Sequence, residues 1–172
     1  LIGSFEFVGL LDRDKDLWNT QVLGVPVLGD DDILSELKQE GVNHAFLGVG
    51  SIGNWQPRKR LYDELLKRGF QIVPAIHPQA VISPSAAIGT GPTVMAGVLI
   101  NASAILGNNV IINTGAVVEH DCIVGDHAHI ATGARLAGNV RVGIGTHIGA
   151  GATVRECINI GEGAIVGAGA VV

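Results

Sequence analysis

A small α/β unit followed by a solenoid of six-residue rungs is the fold this sequence predicts, and three observations carry it. All seven aromatics (Phe5, Phe7, Trp18, Phe46, Trp55, Tyr62, Phe70) and all four lysines fall at or before Phe70. From Ile82 onward every sixth residue is Ile, Val or Leu, without exception through Val172. The 172 residues include 25 glycines and are 47% hydrophobic but only 4% aromatic, so something regular must replace an aromatic core. The change of composition marks two regions, 1–76 and 77–172, and Pro74, Pro78 and Pro84 punctuate the junction.

In the first region, Phe5 to Leu11 reads as a short apolar strand ending at Asp12. Asp30 to Asp32 supply caps and helix-dipole partners for a helix carrying Ile33, Leu34 and Leu37. Ala45 to Val49 reads as a buried strand running into Gly50 and Ser51, and the stretch from Pro57 to Arg68 puts Leu61 and Leu65 on one helical face. Gly69 closes that helix, and Ile72 to Ile76 is the last strand. Alternating strands and helices imply a parallel sheet with crossover helices. The unit is small for such a sheet, which suggests a missing first unit. The chain opens at Leu1 and stops at Val172 on a fresh hexad, so continuation is expected at both ends.

In the second region the period is an architecture in itself, because neither a helix (about 3.6 residues per turn) nor a strand (about 2) singles out every sixth position. The position four after the aliphatic is small at Ala104, Ala116, Cys122, Ala128, Ala134, Ala152, Ala164 and Ala170, and glycine often follows. The aliphatic fills the interior and the small residue lets the chain turn, so three hexads close one triangular coil.

Charge narrows the function. With 11 Lys and Arg against 16 Asp and Glu the net charge is −5, which disfavours a broad nucleic-acid surface and leaves small anionic ligands open. No apolar run reaches the roughly 18 residues that span a bilayer, and no signal segment opens the chain. A soluble, cytoplasmic protein without a membrane partner is expected. Cys122 and Cys157 share no metal-motif spacing and are expected as reduced thiols, Cys122 as packing at an inward corner.

Five of the six histidines (His77, His120, His127, His129, His147) follow Phe70. His120 occupies a hexad turn within the string Asn113-Thr-Gly-Ala-Val-Val-Glu-His120-Asp121-Cys-Ile-Val-Gly. Together with the repeat, this string resembles the bacterial hexapeptide-repeat sugar acyltransferases of the sialic acid O-acetyltransferase and UDP-amino-sugar N-acetyltransferase type. The resemblance covers residues 82 to 172. It implies a left-handed parallel β-helix behind a Rossmann-like acceptor-binding domain, acetyl-CoA as co-substrate, no metal, and a homotrimer with sites between neighbours.

The resemblance also implies roles. His120 matches the general base: a sugar hydroxyl or ammonium must lose a proton as it attacks a thioester, and imidazole takes it near neutral pH. Asp121 matches the acidic residue that raises the base's basicity, a position usually held by glutamate in the amino-sugar enzymes. Neighbours on a flat strand point to opposite faces, so the two meet only if the chain turns there, and Glu119 is the competing orienter. Gly138, three hexads after His120, matches the backbone N–H that holds the developing oxyanion. His129, Ala150 and Ala168 match contacts to acetyl-CoA, and His147 falls three hexads after His129. Arg135, Arg141 and Arg155, the only cations after Phe70, suit the phosphates of coenzyme A.

In the first region, Asp12, Gly50 and Ser51 end predicted strands, where open parallel sheets bind ligands, and the resemblance assigns such strand ends to a nucleotide sugar or sugar acid. The family's Gly-rich first turn with a histidine has no counterpart in this sequence. Two other readings remain: a zinc hydrase similar to γ-carbonic anhydrase, with His129 and His147 as ligands, and a non-catalytic trimeric scaffold. Whether the acceptor atom is oxygen or nitrogen stays open.

Overall fold

The computed structural model describes residues 5–172. From Ala75 onward the backbone is a parallel β-helix whose two-residue strands each end on the hexad aliphatic. Face A stacks Val81–Ile82, Leu99–Ile100, Val117–Val118, Arg135–Leu136 and Thr153–Val154. Face B stacks Ala87–Ile88, Ile105–Leu106, Ile123–Val124, Arg141–Val142 and Asn159–Ile160. Face C stacks Ala75–Ile76, Thr93–Val94, Ile111–Ile112, His129–Ile130, His147–Ile148 and Ile165–Val166. Each strand pairs in parallel with its counterpart three hexads away, so Ile112, Ile130 and Ile148 lie in one column. Ile76, one hexad before Ile82 and also aliphatic, packs against the same interior, so the periodic core starts one rung before Ile82.

That interior holds the hexad aliphatics and the small corner residues, with no aromatic among them. Ile112, Val118, Ile130, Leu136 and Ile148 are wholly buried, as are Ala104, Ala116, Cys122, Ala128, Ala134 and Ala152. Each enclosed aliphatic contributes about 1.5–3 kcal/mol. Two polar side chains enter this interior and are satisfied: Cys122 Sγ donates to the Ala137 carbonyl at 3.1 Å and Thr146 Oγ1 to the Gly161 carbonyl at 2.6 Å.

From Gly91 onward each turn uses one residue in the left-handed region. Between faces C and A it is glycine (Gly97, Gly115, Gly133, Gly151, Gly169); between B and C it is Gly91, Asn109, His127, Gly145 and Gly163. Between A and B it is Ser103, Asp121, Asn139 and Cys157, so this edge alone carries side chains at every such turn among the described residues.

The first region departs from the expected single parallel sheet. Strand β1 (Leu10–Leu11) is shorter than the Phe5 to Leu11 run. Strands β2 (Gln21–Val22) and β3 (Val25–Gly29) form an antiparallel hairpin that was not expected, closed at Leu23 and Gly24 with φ of 50° and 79°, both central residues being positive as a type I′ turn requires. β1 joins β3 in parallel. Asp30 caps a short turn at Asp31–Ile33 by accepting the Asp32 N–H, and α1 (Leu34–Gln39) follows as expected.

A separate two-stranded parallel sheet pairs β4 (His44–Ala45) with β5 (Gln71–Ile72). The Ala45 to Val49 strand is therefore not formed beyond Ala45. The Ile72 to Ile76 strand is split around Pro74, which lacks an N–H: Ile72 stays in the small sheet and Ala75–Ile76 enters face C. Helix α2 (Gln56–Lys67) has proline in its first turn and ends at Gly69, φ 78°. Its Tyr62 and Leu65 join Leu34, Leu47, Phe70 and Ile72 in a second core. Among the described residues no helix is long and apolar enough to cross a membrane.

The edge between faces B and C is the seat of this first region. Ile72 lies over Gly91, where a Cβ would come within 2.6 Å of its Cγ2. Trp55 stacks on His127 with ring centroids 5.7 Å apart, Tyr62 meets the same imidazole edge-on, and Trp55 also covers Gly145.

Candidate active site

Two clusters of candidate residues stand on different edges of the prism. The first is the edge between faces A and B. Asp121 adopts φ 60°, a conformation aspartate tolerates better than most residues, and the chain turns there. His120 Nδ1 and Asp121 Oδ2 are consequently 2.8 Å apart. Glu119 takes no part in this pair; its carboxylate accepts from Asn101 Nδ2, one coil away, at 2.8 Å. The hydrogen bond to Asp121 is the main cause that raises the His120 pKa above 6.5; desolvation opposes it, and the Asp121 and Glu119 charges add to it. Both side chains are more than half exposed.

Gly138 lies under the imidazole. A Cβ there would sit 2.6 Å from His120 Cε1 and 2.7 Å from Nε2, so any other residue would push the ring away. The Gly138 carbonyl accepts from Cys157 N, while its own N–H donates to no described group. Gly138, whose N–H is not engaged by a described group, thus adjoins the ring edge that carries Nε2.

The second cluster is a groove of about 420 Å³ along face C and its edge with face A, lined by His129, His147, Ala150, Ala168, Ile52 and Gly53 among others. The three-hexad spacing places His129 and His147 on successive coils, and they pair in register with rings edge to face, centroids 4.8 Å apart. His129 is buried, and neither of its ring nitrogens has a partner; Nδ1 of His147 is likewise without one. Burial is the main reason the His129 pKa is lowered to about 4, with the neighbouring His147 and Arg58 charges adding to it; burial also lowers His147. Both imidazoles are neutral at physiological pH.

Arg135 and Arg141 point outward from faces A and B, on the strands before and after Gly138; neither they nor Arg155 line the groove. Asn113 does line it, together with Ala131 and Gly149. Asn113 opens the string that contains His120, and its three-hexad spacing to Ala131 and on to Gly149 marks the groove in the sequence.

In the first region, Asp12 borders a mainly apolar cleft of about 840 Å³ with Gly48 and Val49. Its carboxylate accepts the Asp14 N–H at 2.8 Å. Gly50 and Ser51 do not line this cleft. A Cβ on Gly50 would meet no atom within 4 Å, while Ser51 is 4% exposed with an unpartnered Oγ.

Residues 103–138 match the family model described as bacterial transferase hexapeptide (six repeats). The GDP-perosamine N-acetyltransferase of Caulobacter crescentus, solved with CoA and GDP-perosamine, is 44% identical with a TM-score of 0.88, over 95% of this chain and 75% of that one. The acetyltransferase domain of PglB from Neisseria gonorrhoeae is 35% identical with a TM-score of 0.78, over 95% and 77%. WeeI from Acinetobacter baumannii shares the fold at 20% identity and a TM-score of 0.64, over 94% and 84%. Among curated protein sequences none matches.

Proposed function

The chain belongs to the hexapeptide-repeat sugar acyltransferases, which makes it an acetyl-CoA-dependent sugar acetyltransferase, and we propose that its acceptor is the amine of a nucleotide-linked amino sugar, with His120 as general base. One observation carries the role of His120: its Nδ1 is held by Asp121 at 2.8 Å while its Nε2 lies on the ring edge packed over Gly138. The choice of an amine over a hydroxyl follows from the 44% identical relative, a sugar N-acetyltransferase.

With Nδ1–H donated to Asp121, the lone pair for proton abstraction is on Nε2. The sugar nitrogen attacks the thioester carbonyl carbon, a C–N bond forms, and the proton passes from nitrogen to Nε2. The Gly138 N–H stabilises the negative charge that develops on the carbonyl oxygen. The C–S bond then breaks, and the sulfur leaves as the thiol of CoA with the proton returned by His120. In this reading the groove of His129, Ala150 and Ala168 receives the acetyl-CoA arm, Arg135 and Arg141 serve its phosphates, and Asp12, Gly50 and Ser51 contact the acceptor in a Rossmann-like unit that precedes Ala75.

Base and groove occupy different edges of one chain, and apolar side chains face outward at Val81 (63% exposed), Leu99 (40%) and Ile105 (47%). A homotrimer of left-handed β-helices covers such faces and places the base of one protomer beside the groove of its neighbour. The relatives do not favour the zinc hydrase or scaffold readings. The acceptor is tested by supplying acetyl-CoA with a panel of nucleotide amino sugars and sialic acid and following thiol release. Thiol release with an amino sugar is expected; release with sialic acid alone would reassign the acceptor atom to oxygen.

A further inference from the structure

Arg58 is a buried cation, 2% exposed, with no carboxylate partner among the described residues. Its guanidinium reaches three separate parts of the chain. Nη1 donates to the carbonyls of Leu47 at 2.8 Å and Val49 at 2.6 Å, Nη2 to Thr93 Oγ1 at 3.2 Å, and Nε to the Asn109 carbonyl at 3.5 Å. Thr93 and Asn109 belong to the β-helix, whereas Leu47 and Val49 lead into Gly50 and Ser51. Burial lowers the Arg58 pKa to about 10, so the group remains charged at neutral pH and its hydrogen bonds are charge-assisted.

Residues 47–53 make no backbone-to-backbone hydrogen bond with any described residue. Backbone groups that leave the ladder must be satisfied elsewhere, and for Leu47 and Val49 the guanidinium does so. The end of this segment, Ile52 and Gly53, borders the groove that contains His129 and His147. One side chain therefore ties the segment that leads to Ile52 and Gly53 to the β-helix at Thr93 and Asn109.

We propose that Arg58 is a positioning residue for acetyl transfer: it fixes the 47–53 segment on the β-helix, so that the acceptor held at Gly50 and Ser51 meets the acyl group at a set distance. This rests on the acceptor role given above to Gly50 and Ser51. A lysine keeps the charge but reaches as a point donor, without the fork that spans two carbonyls and the β-helix.

The test compares Arg58→Met, Arg58→Lys and Val154→Ala, the last an interior cavity in another coil that supplies a matched loss of thermal stability. Arg58→Met is expected to lower kcat/KM for the acceptor by about 10- to 100-fold, the order that a small misplacement of reactants costs, with Arg58→Lys in between. The Kd of CoA alone should stay within about 3-fold, because only Ile52 and Gly53 of the groove lie in the released segment while His129, His147, Ala150 and Ala168 stay on the β-helix. Arg58→Lys also keeps the comparison open if Arg58→Met fails to fold. Arg58 variants no worse than Val154→Ala at equal loss of melting temperature would overturn the inference. Gly50→Val, where the added side chain meets open space, separates the two levels. An unchanged acceptor KM there removes the acceptor reading itself, whereas a raised one with unaffected Arg58 variants removes only the positioning role.

Discussion

His120 and Asp121 are neighbours in sequence that face each other in space, Nδ1 to Oδ2 at 2.8 Å, because Asp121 takes the corner at φ 60°. The contact raises the His120 pKa from 6.5, and the base works only as neutral imidazole. kcat/KM for acetyl transfer is therefore expected to fall as pH drops through that raised value. Asp121→Asn removes the charge, so its acid limb should move to lower pH while the plateau falls. A pH–rate profile with an unshifted limb would separate Asp121 from the base.

A second pH effect concerns stability. His129 titrates at about 4 in the fold and at 6.5 when exposed. Between those values the unfolded chain binds more protons, so the contribution of neutral His129 is present above 6.5 and is lost as pH falls towards 4. His129→Leu should flatten the decline of melting temperature over this window. His127 and His147, also lowered by burial, keep part of the slope. A variant curve parallel to the original would show that His129 is not buried as described.

Ile130 tests the repeat independently of catalysis. It is fully buried between Ile112 and Ile148. Ile130→Asp places an unpaired carboxylate in that column and should disrupt the coil stack, whereas Ile130→Val should cost only about 0.5–1.5 kcal/mol. Thermal melts of both variants decide it, and a well-folded Ile130→Asp protein would contradict the inward register.

The placement of base and groove on separate edges leads to a complementation test. A His120→Ala protomer mixed with one carrying a groove defect, Ala150→Trp, should recover activity in mixed trimers, because one interface then joins an intact base to an intact groove. Lack of recovery in mixed trimers verified by mass would place the whole site within one chain.

The β-helix was legible because one rule repeats: an aliphatic every sixth residue and a small residue four later fix each strand, each corner and the three-hexad register. The spacing also put Gly138 beside His120 and His129 beside His147. What it did not reveal depends on contacts between distant segments. Ala45 to Val49 has the composition of a strand, yet the carbonyls of Leu47 and Val49 go to Arg58. The Leu23–Gly24 hairpin is marked in the sequence by Gly24 alone, between strands of two and five residues. The seat of the first region, the column Gly91, Asn109, His127 and Gly145, was visible as a three-hexad spacing but gains meaning only with Trp55, Tyr62 and Ile72 resting on it. The arginines show the converse: clustered in sequence, Arg135 and Arg141 stand on two faces.

The assignment of His120 as general base is tested most directly by the turnover of His120→Ala with acetyl-CoA and an amino-sugar acceptor, measured beside CoA affinity. Turnover should fall by about 10²- to 10⁴-fold while the Kd of CoA barely changes, since the loss falls on proton transfer rather than binding. Undiminished turnover in a folded His120→Ala protein would contradict it.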